Sequence, residues 1–422
     1  MRIDATTLRR GSLSLLVVLC AGLLLTGCRR QPKGTPGLPL GALDVRVFGA
    51  RGDGRRDDTA AFQRALKQAG GFGGVVVVSP GRYRLTAPLE IAGAALMGVR
   101  PGGFPADEET LPVLEVDHAL GPVIRAGAAA TVEGLMIRFP HRPDAELSRP
   151  PAIELSGIGI TLNGLKIEAA WDGIVADGVS NIGRLSMRDI FLSNCFHHGV
   201  VITHTLDVAH LDHVEVWSPD PRARKGASIG FRFGKNDQMQ AVNLFAFGMT
   251  LGFMFEAEEV EPGKFESTYG DFANCATDQC TRGIKIEGPA RLSFSGGTFL
   301  NHLESLLADH PEAMLRFSGA EFKSNGGVAV HLRKTGRAIF SGSIFRRFYG
   351  AQDRPRIVAG EVGSLVVSGC VFDPTGPGIK FEPGVARAVV SGTIFEATEF
   401  PAFLEHEAHP GQLLLDGNII SD

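Results

Sequence analysis

One short pattern returns six times in the last third of the chain, and its spacing limits the possible folds more than any other feature. It reads LSFSGGTF over 292–299, LRFSGAEF over 315–322, IFSGSIF over 339–345, VVSGCVF over 366–372, VVSGTIF over 389–395 and LLDGNII over 414–420. Gly296, Gly319, Gly342, Gly369, Gly392 and Gly417 step by 23, 23, 27, 23 and 25 residues. Weaker copies centre on Gly134, Gly164, Arg188, His213, Ala246 and Tyr269. A period of roughly 20 to 30 residues marks a solenoid, in which each repeat packs only on its neighbours. Helical repeats would show 3.6-residue periodicity over about ten residues or more. These segments instead alternate over five to eight residues and are rich in Val, Ile and Phe, which suits strands. The expectation is an all-β chain wound as a parallel β-helix. Its coils stack at ~4.8 Å, and about a dozen of them make a rod on the order of 55 Å.

Phenylalanine is used 27 times, against 3 Tyr and 2 Trp. An inward ring at Phe299, Phe322, Phe345, Phe372 and Phe395 predicts a stacked aromatic column inside the rod. Asn194, Asn274, Asn301 and Asn325 follow their Phe closely and predict an asparagine ladder at a turn, bonded to the backbone of adjacent coils. The repeated Ser-Gly pair is assigned to bends and close backbone approach, with no chemistry.

Residues 43–91 carry a second signature. LDVRVFGARGDG at 43–54 leads into DDTAAFQRAL at 57–66 and GGVVVVSPGRY at 73–83. This resembles the opening of the pectate lyase superfamily domain of rhamnogalacturonase- and epimerase-like proteins, shared by some phage tailspikes. The resemblance implies a single-stranded right-handed parallel β-helix of the pectin lyase-like kind over 43–422, with 43–91 as N-terminal cap and first coil. It also implies a polysaccharide partner. In physical terms Asp58 or Thr59 can cap a short helix running to about Ala69, with Ala61, Phe62, Ala65 and Leu66 on one face. Such a helix plugs the open end of the rod. Asp57 and Asp58 therefore read as capping residues rather than a catalytic pair. The resemblance delivers no active site. The paired aspartate after glycine and the Gly-His-Gly of family 28 glycosidases are missing, and Arg282-Gly283-Ile284-Lys285 matches their Arg-Ile-Lys element only faintly. The acidic calcium set of pectate lyases is not recognisable, so no cofactor and no metal is assigned, and a divalent cation such as calcium stays an open alternative without support in the sequence. Two functions stay open: a lyase, hydrolase or epimerase acting on an extracellular glycan, uronate-containing ones included, or a non-catalytic envelope protein that binds or organises exopolysaccharide.

At the N-terminus Arg9 and Arg10 precede an apolar run from Leu13 to Leu25, shorter than the ~20 residues of a membrane-spanning helix. The run ends in Leu25-Thr26-Gly27-Cys28, which resembles the lipobox of bacterial lipoproteins. Residues 1–27 then read as a signal peptide, Cys28 as the lipidated membrane anchor, and 28–42, rich in Pro and Gly, as a tether. By the same resemblance Arg29 after the cysteine implies sorting to the outer membrane. Losing residues 1–27 moves the formal charge from −4 to −6, which leaves no basic excess for nucleic acid. Cys275 and Cys280 are near enough in sequence for a disulfide in an oxidising compartment, while Cys195 and Cys370 read as small buried hydrophobes. No cysteine spacing suits zinc.

Interruptions are where a solenoid carries chemistry. The longest, between His213 and Ala246, holds Arg222, Arg224 and Lys225, able to grip an anionic glycan or else merely solvated. Five of the 12 histidines (His197, His198, His204, His210 and His213) and both tryptophans, Trp171 and Trp217, lie around it. Asp172 and His198 are 26 residues apart, about one coil, so they fall side by side on one face. A carboxylate beside an imidazole, with tryptophan platforms for a sugar, suits proton transfer. Asp189, with Asp207, Asp212 and Glu215, offers the further acid that hydrolysis would need. Asp212 and His213 are adjacent strand residues pointing to opposite faces, so with His210 they make a poor metal set. Arg346, Arg347 and Tyr349 form an exposed turn or a rim patch for an anionic polymer.

Overall fold

The computed structural model describes residues 41–71, 73–98, 110–140, 149–220, 226–347, 354–396, 401–405 and 412–420. The signal, Cys28 and nearly all of the tether lie outside them, as do Arg222, Arg224, Lys225 and Tyr349. From Ala42 onward the chain is a right-handed parallel β-helix whose regular coils lay three strands on those of the next. In the first face Thr161–Asn163 pairs with Ser186–Arg188, and that with His210–Asp212. In the second Leu165–Glu168, Ile190–Ser193 and Val214–Trp217 follow one another, and in the third Asp172, His198 and Ile229 do. Among the described residues no helix is long and apolar enough to cross a membrane.

One residue turns the chain from the first face into the second. In twelve successive coils this corner is Gly134, Gly164, Asp189, His213, Asn243, Asn274, Gly296, Gly319, Gly342, Gly369, Gly392 and Gly417, all with φ between 51° and 66°. This left-handed backbone costs glycine nothing and is tolerated by Asn and Asp. That is the structural task of the Ser-Gly pair. The upstream corners are therefore Asp189, Asn243 and Asn274, not Arg188, Ala246 and Tyr269. The asparagine ladder does not form. Asn274 occupies this corner, Asn194 (φ 54°) a different one, and buried Asn301 donates to Thr277 Oγ1 at 2.9 Å from within a strand. Asn194 and Asn274 are placed by their own left-handed backbones and so sit at separate corners.

The phenylalanine column is present. Centroid separations are 5.5 Å for Phe299–Phe322, 5.4 Å for Phe322–Phe345, 4.6 Å for Phe345–Phe372 and 4.7 Å for Phe372–Phe395. A second column, Phe272, Phe294, Phe317 and Phe340, stacks at 4.9, 4.9 and 5.5 Å and meets the first edge-on. At the N-terminal end the helix Thr59–Gly70 buries Ala61, Phe62, Ala65, Leu66 and Ala69 on the first coil. Its cap differs from expectation. Asp57 accepts from Thr59 N at 3.0 Å, whereas Asp58 turns back to the amides of Arg51 and Gly52 at 2.8 and 3.0 Å. The disulfide is absent too: Cys275 and Cys280 are free and buried, their sulfurs directed at the carbonyls of Ala273 and Ala246. Cys195 and Cys370 are buried as expected.

Phe322 is fully buried between rings above, below and beside it. Phe322→Ala is expected to lower unfolding free energy by about 3–5 kcal/mol, and Phe322→Leu by clearly less, measured by denaturant titration of the far-ultraviolet signal. Gly342 has open space around it but φ 56°, so Gly342→Asn should cost much less than Gly342→Val in the same assay.

Candidate functional site: a shared carboxylate at the second corner

The corner between second and third faces is built on glycine. Gly173, Gly199, Gly230, Gly252 and Gly283 stack in five consecutive coils at the start of the third face. A Cβ on Gly199 would lie 2.6 Å from both Val216 methyls and 2.7 Å from the Gly230 carbonyl oxygen. Only glycine lets the coils close there, and the residue just before each glycine is held at the rim. Two of those rim residues are Asp172 and His198, in register one coil apart.

Asp172 Oδ1 accepts three hydrogen bonds: from His198 Nδ1 at 2.9 Å, from the His198 amide at 2.9 Å and from His197 Nδ1 at 3.0 Å. The two imidazoles lie 3.6 Å apart between centroids, and Trp171 stacks on His197 at 5.3 Å. Burial alone would raise the Asp172 carboxyl, but the bonds and charges of both histidines outweigh it and hold the group at about 2. Burial lowers His198, and the Asp172 bond only partly offsets that. Asp172 is thus held as a carboxylate that accepts from His198 Nδ1. The Arg232 charge, next to Val201 on the adjacent coil, works in the same direction on His198, and its guanidinium grips Glu256 at 2.9 and 3.0 Å.

His197 is the member that sequence reasoning did not select. Strand alternation should send adjacent side chains to opposite faces. Yet the strand begins only at His198, and His197 sits in the bend before it, so both rings reach one oxygen. The doublet His197-His198 directly after a corner was the available signal. His197 is also the more open ring, with its side chain 37% exposed against 10% for His198. Asp172, His197 and His198 place one ligand-capable atom each within 4.8 Å of one another.

Other expected residues fall elsewhere. Trp217 ends a second-face strand and its ring lies 5.4 Å from Phe247 and 6.2 Å from Phe191. The insertion that carries Arg222, Arg224 and Lys225 leaves and re-enters at Ser218–Asp220 and Gly226–Ser228, the same corner as His197 one coil on. Asp189 is not brought to Asp172. It lies at the first corner, separated by the four residues Ile190–Ser193, or ~13 Å of strand. There it bonds His213 Nδ1 at 2.8 Å, while His213 Nε2 is 3.4 Å from Glu215. His204 pairs with Glu258 at 3.0 Å, and Arg346 with Glu321 at 3.5 Å.

Residues 42–100 match the family model described as Rhamnogalacturonase A/epimerase, pectate lyase-like. The first coils thus resemble that family, and the fold is a parallel β-helix. Among solved structures the chain is similar to the A-module of mannuronan C-5 epimerase AlgE6 of Azotobacter vinelandii, at 15% identity and TM-score 0.57, covering 90% of this chain and 99% of that one. It is also similar to the pre-mature gene product 12 of bacteriophage phi29, at 13% identity and TM-score 0.59, covering 88% of this chain and 56% of that one. A tailspike double mutant of E. coli bacteriophage HK620 matches at 9% identity and TM-score 0.54, over 89% of this chain and 78% of that one. At such identities the likeness is one of fold. No curated protein matches the sequence.

The Asp189 bond, with smaller help from Glu215, raises His213 above the ordinary histidine range. A raised folded value stabilises the fold below the unfolded pKa of ~6.5 and loses that contribution as pH rises through the folded value. The ring is 54% exposed, so the gain is small. NMR titration of the His213 ring should give a midpoint above that of an unpaired histidine, and Asp189→Asn should bring it down.

Proposed function

We propose that the protein acts on a polysaccharide and that Asp172, His197 and His198 are its reacting group. One observation carries the proposal: a half-buried carboxylate whose one oxygen is shared by two imidazoles, beside a stacked tryptophan at the corner from which the basic insertion departs. A carboxylate that accepts from Nδ1 fixes the histidine tautomer and leaves Nε2 as the base. Asp172 is the orienting residue. His197, the exposed ring, is the group able to touch substrate, with Trp171 as a platform for a sugar face. His198 is a buried positioning partner.

The reaction class follows from charge. The C5 proton of a uronate becomes easier to remove once its carboxylate is neutralised, and Arg222, Arg224 and Lys225 are the cations next in sequence to this corner. Removal of that proton serves both a lyase and an epimerase, and one of the similar folds belongs to a C-5 epimerase. Asp189 lies at a different corner and so does not pair with Asp172 for two-acid hydrolysis. Epimerisation or elimination on an acidic glycan is therefore the preferred chemistry. The proposal extends to place: a lipid on Cys28 anchors the rod to the bacterial outer membrane, near extracellular glycan.

Incubating the purified full chain with uronate-containing and neutral polysaccharides tests this. Ultraviolet-absorbing unsaturated ends mark elimination, a changed ratio of uronate epimers by NMR marks epimerisation, and new reducing ends alone mark hydrolysis. Asp172→Asn and His197→Ala are each expected to reduce turnover by about 10²–10⁴-fold, while His210→Ala leaves it unchanged. Full activity in both site variants would move the reaction elsewhere on the rod. Glycan binding without any product would make this a binding protein.

A further inference from the structure

We propose that Asp172, His197 and His198 form a binding site for a single divalent transition-metal ion of the zinc class, with a coordination position left open to solvent. The three side chains offer Oδ1, Nδ1 and Nδ1, all within 4.8 Å, with the oxygen 3.0 and 2.9 Å from the two nitrogens. Around an ion with bonds of ~2.0–2.1 Å, tetrahedral ligand atoms stand about 3.4 Å apart. The oxygen-to-nitrogen separations need to widen by a few tenths of an ångström, which a small turn of the Asp172 carboxylate, together with rotation of the more open His197 ring, can supply. The nitrogen-rich set selects against calcium and magnesium, which take oxygen ligands, and favours zinc, cobalt or iron. Two histidines and one carboxylate leave at least one position unfilled, and His197 marks the side from which it is reached.

The backbone around the cluster is already fixed. The Asp172–His198 register and the close packing at Gly173 and Gly199 hold two of the three ligands before any ion arrives. Ligand atoms brought together by the fold lower the ordering cost of binding. An ion uses the same atoms as the shared protons, so uptake releases those protons, and ligation and proton sharing exclude each other in one molecule. The site does not rest on the proposed reaction.

The test uses the full chain without a histidine tag, purified in detergent and stripped with chelator. Cobalt(II) chloride is titrated in and the visible absorption of the bound ion is followed. The expected result is a saturable band at one cobalt per chain, removed by equimolar zinc but not by excess calcium. Asp172→Asn and His197→Gln should each weaken binding by at least about 100-fold, and His210→Ala should leave it unchanged. The His197 side chain is 37% exposed and lies outside the strands, so its variant is expected to keep the fold, checked by an unchanged thermal transition. No saturable band, or a band of the same affinity in both site variants, overturns the proposal. A cobalt site without turnover of any glycan removes the proposed reaction and keeps the metal site. Turnover by stripped protein that shows no cobalt band does the reverse.

Discussion

Edge-to-edge hydrogen bonding between successive coils governs this molecule. Because the strands pair in parallel and in fixed register, a residue type chosen once is met by its equivalent ~4.8 Å further on. Left-handed glycine piles on left-handed glycine and ring on ring, and at Asp172–His198 and Asp189–His213 a carboxylate comes to rest on an imidazole. A one-residue slip would send each of these inward or outward the wrong way. The fold thus gives the cluster its geometry with no dedicated scaffold.

Two features place chemistry at one corner of a rod that is otherwise scaffold. The five glycines of the third face let backbone approach backbone, so the preceding residue stands at the rim instead of inside. In the neighbouring coils that rim position is Ile229 and Leu251, which cannot titrate, so the polar choice at Asp172 and His198 is local. The half-buried carboxylate is tolerable because each of its bonds comes from a donor on the next coil.

Much of this was legible beforehand, for particular reasons. The SG–F pattern exposed the first corner and one aromatic column because glycine and phenylalanine are repeated literally. Upstream the same corner is Asp189, His213, Asn243 and Asn274. Four side chains solve one backbone problem there, and the eye loses the repeat. The 26-residue step between Asp172 and His198 correctly implied a pair. His197 was hidden by a rule that holds within strands and lapses in the bend before one. The glycine column beginning at Gly173 went unread because its flanking residues differ in every coil, and the missing disulfide because nearness in sequence does not fix where two sulfurs point.

The two corners of a coil differ in what they permit. The first is a single left-handed residue, with no room for length to vary. At the second, the number of residues between strands varies, from Asn194–His197 in one coil to 218–228 in the next. Lengthening a flexible loop is cheap, about 0.6 kcal/mol for each doubling. Novelty can therefore accumulate along one seam of the cylinder while the opposite seam keeps time. Descendants of this chain could exchange one ligand preference for another through insertions at that seam, with the metronome of the fold undisturbed.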